Sequence, residues 1–292
     1  MRWWERWRIP LMLTPTLAVI LLLFGGGLLY GVIVSLGYNP RIGNTTFSLD
    51  AYHTVLFGEQ YTQQFWVGLC FTFWISIAST VISAVLAVLI ALTIRSTGFG
   101  QRTASFMLQF NLPIPHLVAA IGMLFLLSQS GLLARAGAAA GFIERPNEFP
   151  ILVRDSLGLG IIITYVWKEV PFIGIIVLAV LQSLGKDYED AALNLGANQW
   201  QRFRYVTLPL ILPALLSASV IVFAFTFGAY EVPEILGVRY PEALPVMAID
   251  LFNQADLNER SNAMALSVII SSIVMVLVAF YMWLRDWANK RQ

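Results

Sequence analysis

The sequence predicts an all-α membrane protein with six transmembrane helices, and three observations predict it. Of the 292 residues, 58% are hydrophobic and only 12% are charged, with a mean hydropathy of +0.73; a soluble domain carries about 25% charged residues. Five stretches contain no Asp, Glu, Lys or Arg, namely 9–40, 60–94, 103–134, 205–230 and 261–284, and a sixth, 156–185, is broken only by Lys168 and Glu169. Each stretch supplies the roughly 20 residues that a helix needs to cross a bilayer, and each is too long for a barrel strand of about 10. The same composition excludes a disordered chain. The single Cys70 excludes a disulfide scaffold, and a net charge of +1 gives no electrostatic footprint for nucleic acid.

The elements follow in order. The first helix covers about 11–36. It follows the basic, aromatic segment MRWWERWR, in which Trp3, Trp4 and Trp7 suit a membrane interface. Its apolar run exceeds the roughly 7–15 residues of a signal-peptide core and no small-x-small cleavage site follows, so it is read as retained. The remaining helices are placed at 66–94, 106–133, 157–183, 208–230 and 263–284. His116, in the third, is expected to be a hydrogen-bonded structural residue, because no second His or Cys accompanies it as a metal ligand. Lys and Arg set the orientation. With the N-terminus inside, eleven fall on cytoplasmic segments (among them Arg2, Arg6, Arg95, Arg102, Lys186, Arg202, Lys290 and Arg291) and six on outer loops such as that of Arg41. The positive-inside rule therefore places both termini in the cytoplasm. The outer segment 231–262 carries a net charge of −4, in keeping with outer loops depleted of positive charge.

No catalytic constellation is visible. GxxxxGK[ST], HExxH, GxSxG and CxxC are all absent, so the chain is not read as an enzyme and hydrolyses no ATP on a P-loop of its own.

The segment between the fourth and fifth helices, GKDYEDAALNLGANQWQRFRYVTLPLILP, carries the most information. Asp187, Glu189 and Asp190 stand in the first turn of a short helix, where the helix dipole favours negative charge. Ala191 and Ala192 follow, Gly196 ends the helix, and Asn198 caps a second short helix that presents Trp200 and Phe203. Apolar residues on a cytoplasmic hairpin call for a partner. The alternative, a hairpin lying on an anionic leaflet, is disfavoured by its acidic start.

Asp190-Ala191-Ala192-x-x-x-Gly196, then nine residues, then Val206-x-Leu208-Pro209, resembles the EAA loop of permease subunits in binding-protein-dependent ABC importers, E-A-A-x-x-x-G-x9-I-x-L-P. The spacing matches throughout, with Asp for Glu at 190 and Val for Ile at 206; Glu189 stands beside the shortened carboxylate. TFWISIASTVISAVLAVLIALTIR and NLPIPHLVAAIGMLFLLSQSGLLAR resemble the second and third spans of that core. FGAYEVPEILG and NAMALSVIISS resemble the spermidine/putrescine-type branch, which broadly drawn includes importers of thiamine, ferric iron and aminophosphonates.

The resemblance implies a type I importer permease fold. It divides the chain into an N-terminal helix and outer loop (1–64), a permease core (65–284) containing a coupling loop (185–207), and a cytoplasmic tail (285–292). It implies a bacterial inner-membrane location and a lipid environment. The expected partners are an ATPase dimer, a second permease subunit of usually different sequence, and an extracytoplasmic substrate-binding protein, with no nucleic acid. ATP and Mg would sit on the ATPase, leaving this chain without a cofactor. Glu189, Asp190, Ala191, Ala192, Gly196 and Ala197 are the expected ATPase contact, and the substrate a small polar or cationic solute of the polyamine type. A secondary transporter driven by an ion gradient is the rival of another class; its internal repeat is not evident here.

Two further groups are candidates for the pathway or its gate. Lys168 and Glu169 interrupt the fourth helix, and a charge at mid-membrane costs about 3 kcal/mol unless paired or wetted. Either at least one of them faces the water-filled pathway or the second permease, or they form a structural ion pair with another helix, or the span lies lower than 157–183 places it. Tyr230, Glu231 and Glu234 follow the fifth helix. They are either a gate suited to a cation or the solvated start of a loop.

Overall fold

The computed structural model describes residues 2–97, 106, 108–184 and 187–289. Of the residues used above, Arg102, Lys186, Lys290 and Arg291 lie outside the described residues, as do the side chains of Arg2, Trp3, Trp4, Arg6, Trp7, Arg41 and Glu189. The described elements are nearly all helical. They are α1 Arg2–Val19, α2 Gly26–Ser35, α3 Asp50–Phe57, α4 Thr62–Thr97, α5 His116–Leu127, α6 Leu132–Ala139, α7 Leu159–Ser183, α8 Asp187–Asn194, α9 Gln199–Arg202, α10 Leu208–Gly228, α11 Glu231–Leu236, α12 Leu244–Phe252 and α13 Glu259–Asn289. Wide π-turns join α1 to α2 (Ile20–Gly25) and α9 to α10 (Phe203–Thr207). Among the described residues, six runs are long and apolar enough to cross a membrane: Arg8–Ser35, Thr62–Arg95, His116–Ala139, Leu159–Ser183, Gln199–Gly228 and Glu259–Arg285. The six-span, all-helical expectation therefore holds.

The chain forms two compact units. The first is Met1–Trp66 with Met247–Ile273. Its leading helix exposes Leu21, Leu22, Leu23 and Phe24; a helix apolar and exposed all round is solvated by lipid. In the connection that follows, Tyr38 stacks on Phe47 with centroids 5.1 Å apart, and the hydroxyls of Ser35 and Tyr52 meet at 2.7 Å.

The second unit is Val67–Val246 with Val274–Gln292. α7 runs through its centre. Near the start of α7, Phe71, Ile75, Met123, Tyr165 and Val232 make one buried cluster; toward its end, Ala87, Ile173, Val177, Ile211 and Val222 make another. The Asp155 carboxylate opens α7 by accepting the backbone N–H groups of Leu159 at 2.9 Å and Leu157 at 3.1 Å. The first of these is a donor that a helix start leaves without a partner.

Two spans and one outer segment differ from the sequence expectation. The third, expected as one helix over 106–133, turns at 111–115 and again at 128–131. Pro113 and Pro115 offer no N–H to continue the first helix. At the second turn a Cβ on Gly131 would lie 2.6 Å from the Phe125 carbonyl oxygen and 2.8 Å from those of Leu126 and Ser128, so only glycine fits. The fifth span begins well before 208. α9, the π-turn and α10 are one helical run, and the wide turn falls where Pro209 cannot donate to the Tyr205 carbonyl. The acidic stretch 231–262 is not an open loop. It contains α11 and α12, with Leu244, Met247 and Leu251 buried at helical spacing and Glu242 buried 3.6 Å from Arg239.

Candidate functional site

The sequence-predicted residues fall into three separate places. The first is the hairpin between the fourth and fifth spans. α8 begins with Asp187, Glu189 and Asp190 and runs to Asn194. It is closed by a complete Schellman motif: Gly196 N–H donates to the Leu193 carbonyl at 2.9 Å, and Ala197 N–H to the Ala192 carbonyl at 3.0 Å. The motif needs a left-handed residue, and Gly196 supplies it at φ +81° with open space around its Cα. Backbone conformation, not crowding within the chain, requires glycine there. Asn198 then caps α9 with a reciprocal pair of 2.9 Å bonds to Gln201, the capping box.

This hairpin satisfies the backbone of its turn but leaves apolar side chains uncovered. Tyr188, Leu193, Leu195 and Trp200 are exposed, Leu195 at 88%, beside exposed Asp187, Asp190 and Ala191. Ala192 and Ala197 are half-buried. Phe203, expected to be presented with Trp200, instead turns onto the core near Leu208, with its ring 5.6 Å from that of Trp200. The π-turn rotates it inward. Leu195 is the most exposed of the apolar residues that the sequence places on this hairpin. Its signal was a leucine directly before a helix-ending glycine.

The second place is the middle of the fourth span. Lys168 and Glu169 are almost wholly buried, at 3% and 7% exposure. Lys168 Nζ donates to the carbonyls of Ile114 at 2.7 Å and Asn111 at 2.9 Å. Glu169 Oε1 lies 3.1 Å from Nε2 of His116, and the His116 ring packs 4.5 Å from that of Phe225 on α10. The amide Nδ2 of Asn111 donates back to the Trp167 carbonyl at 2.6 Å. Neighbouring residues on a helix diverge by about 100°, yet both charges serve the third span, because that span turns at 111–115 and meets α7 on a broad front. Asn111 is the residue the sequence reading does not single out; an Asn four positions before a proline was the available clue.

The third place is the outer end of the fifth span. Tyr230 precedes α11, and its carbonyl accepts the Glu234 N–H at 2.9 Å. Val232, Pro233 and Leu236 anchor this short helix in the core; Glu231 is half-buried and Glu234 exposed. The Leu236 carbonyl accepts the Arg154 N–H at 2.7 Å, tying α11 to the segment that leads into α7. The two carboxylates are thus held at fixed positions on a rigid element.

With this geometry in view, three comparisons are informative. The family profile described as binding-protein-dependent transport system inner membrane component matches residues 63–292. Two Escherichia coli (strain K12) proteins are similar in sequence. The inner membrane ABC transporter permease protein YdcU is 29% identical over 57% of this chain and 56% of its own length. The inner membrane ABC transporter permease protein YnjC is 29% identical over 73% of this chain and 40% of its own. The chain thus spans about half the length of these curated relatives. In fold it is similar to a chain in the crystal structure of a bacterial alginate ABC transporter in complex with its alginate pentasaccharide-bound periplasmic protein, with a TM-score of 0.74 at 19% identity over 96% of each chain. Six apolar spans together with these relatives make it a multi-pass inner-membrane protein.

Proposed function

The chain belongs to the family of binding-protein-dependent transport system inner membrane components, and from that premise we propose that it is the permease subunit of an ABC importer, with its 187–207 hairpin as the docking element for a separate ATPase. The observation that carries the reading is the exposed apolar group Leu193, Leu195 and Trp200 on a helix pair whose turn is closed by a Schellman motif and a capping box. A capped hairpin is stiff enough to transmit force, and uncovered apolar tips beside Asp187 and Asp190 suit a groove with apolar walls and basic rims. In this reading both termini are cytoplasmic, in line with the bias of Lys and Arg. ATP and Mg reside on the ATPase dimer. A second permease, of different sequence, completes the pathway, and an extracytoplasmic binding protein delivers the solute. ATP-driven closure of the ATPases moves the hairpin as a lever and exchanges inward- and outward-open states. The test is uptake into cells: it survives an ionophore that collapses ion gradients and stops on ATP depletion. Uptake with the reverse sensitivity would replace this reading by a secondary transporter.

The solute is a small polar or cationic compound of the polyamine type. Support comes from Glu231 and Glu234, held on α11 at the end of the fifth span by a buried Val232 and Leu236. One half-buried and one exposed carboxylate on a short anchored helix offer a fixed negative potential to an arriving cation. Glu231→Gln with Glu234→Gln raises the half-saturation concentration for a cationic solute by about threefold at low salt, with less effect at high salt. An unchanged profile would remove these residues from the gate.

A further inference from the structure

We infer that Asn111 and Lys168 replace the amide hydrogens that Pro171 and Pro115 withhold, and that through this exchange they act as positioning residues that keep the third and fourth spans in one register. In an α-helix each N–H serves the carbonyl four residues earlier. Pro171 has none to offer Trp167, yet α7 runs unbroken through Leu159–Ser183 with Pro171 inside it. The Trp167 carbonyl is met instead by Nδ2 of Asn111, at 2.6 Å. The reverse substitution occurs on the other side. Pro115 has no N–H for Asn111. The Asn111 carbonyl takes the turn N–H of Ile114 at 3.2 Å and the Lys168 ammonium at 2.9 Å. The same ammonium takes the Ile114 carbonyl at 2.7 Å. The fourth span thus lacks a ladder bond at Pro171 and the third turns at Pro113 and Pro115, and a side chain of each span meets backbone carbonyls of the other.

The cluster is buried, with Asn111 at 6% and Lys168 at 3% exposure. A carbonyl left without a donor in such surroundings is costly, so the two spans cannot slide past one another without exposing both breaks at once. His116 and Glu169, 3.1 Å apart, close the same joint from the next turn. Two of the ammonium's three donors are held by backbone within this chain, a role distinct from contact with a transported solute. The third and fourth spans then travel as one piece, and the rearrangement that opens and closes a pathway falls on other pairs of helices.

The hydrogen-bond exchange stands on geometry alone; its consequence for transport rests on the importer reading above. A double-mutant cycle tests the exchange in the protein purified with whatever subunits accompany it. Asn111→Leu removes the donor and lowers the melting temperature by about 5 °C. Pro171→Ala restores a helix N–H to Trp167, so Asn111→Leu with Pro171→Ala regains most of that loss. A double variant as unstable as Asn111→Leu alone would overturn the exchange. In uptake, Asn111→Leu lowers the maximal rate per assembled complex and leaves the half-saturation concentration unchanged; a shift confined to half-saturation would assign Asn111 to the solute instead. The joint itself is read without disturbing it. Spin labels at Val118 and Ile163, both exposed, in a Cys70→Ser background report one distance with and without trapped ATP. A change of several ångströms would overturn the single-body claim. If the wild type shows no ATP-driven uptake at all, the importer reading fails while the melting cycle still decides the exchange.

Discussion

The hairpin at 187–207 and the joint between the third and fourth spans solve opposite problems. The hairpin builds its turn from neighbouring residues: a Schellman motif closes α8 and a capping box opens α9, with no partner in either further than five positions away. What it leaves open is apolar side chain, Leu195 at 88% exposure above all. The joint buries its side chains and leaves backbone open, and it meets that need from 54 to 57 positions away in sequence. A region whose turn is complete and whose surface is incomplete is shaped to receive another molecule. A region complete only through distant side chains is shaped to hold one chain rigid. The first is a lever's contact point and the second stiffens the lever's frame.

Four substitutions sharpen or break this contrast, beginning with the largest effect. Gly196→Pro demands φ near −65° where the chain has +81° and removes the bond to Leu193. ATPase recovery in a pull-down falls to background while the chain stays in the membrane; normal recovery would mean that the hairpin is not the contact. Lys168→Met strips donors from two buried carbonyls and destabilises the folded protein by about 3 kcal/mol, read as a lower denaturation midpoint. If Lys168→Met instead melts like wild type and only uptake changes, Lys168 belongs to the pathway and not to the frame. Leu195→Asp leaves stability within about 0.5 kcal/mol, because the side chain touches little in this chain. It weakens ATPase binding about tenfold in a titration; a lowered melting temperature would show that Leu195 packs internally after all. The smallest effect, about threefold in half-saturation, belongs to the Glu231 and Glu234 pair, whose screening by salt distinguishes a potential from a direct contact.

The same contrast explains what could be read from sequence. The acidic start, the Ala pair, Gly196 and Asn198 each act on residues within one or two turns, so the helix, glycine turn and second helix were legible in order. The six spans were legible because length and charge depletion are properties of single segments. The joint was only half legible. Lys168 and Glu169 stood out as charges in an apolar run, but their choice between pathway and helix partner depended on which segment lies opposite, and no local pattern records that. Asn111 carried only a weak clue, because an asparagine shortly before two prolines looks like an ordinary turn. Phe203 was misplaced for a related reason: its direction depends on a π-turn, and that extra residue per turn breaks the 3.6-residue count on which helical faces are assigned.

The central claim, that the capped hairpin couples this chain to a separate ATPase, is tested most directly by purifying the C-terminally tagged chain from native membranes in a gentle detergent and identifying its companions by mass spectrometry. The account predicts an ATPase subunit together with a second permease, and loss of the ATPase alone when Leu195 is changed to Asp at equal expression. A stable chain recovered without companions would contradict it.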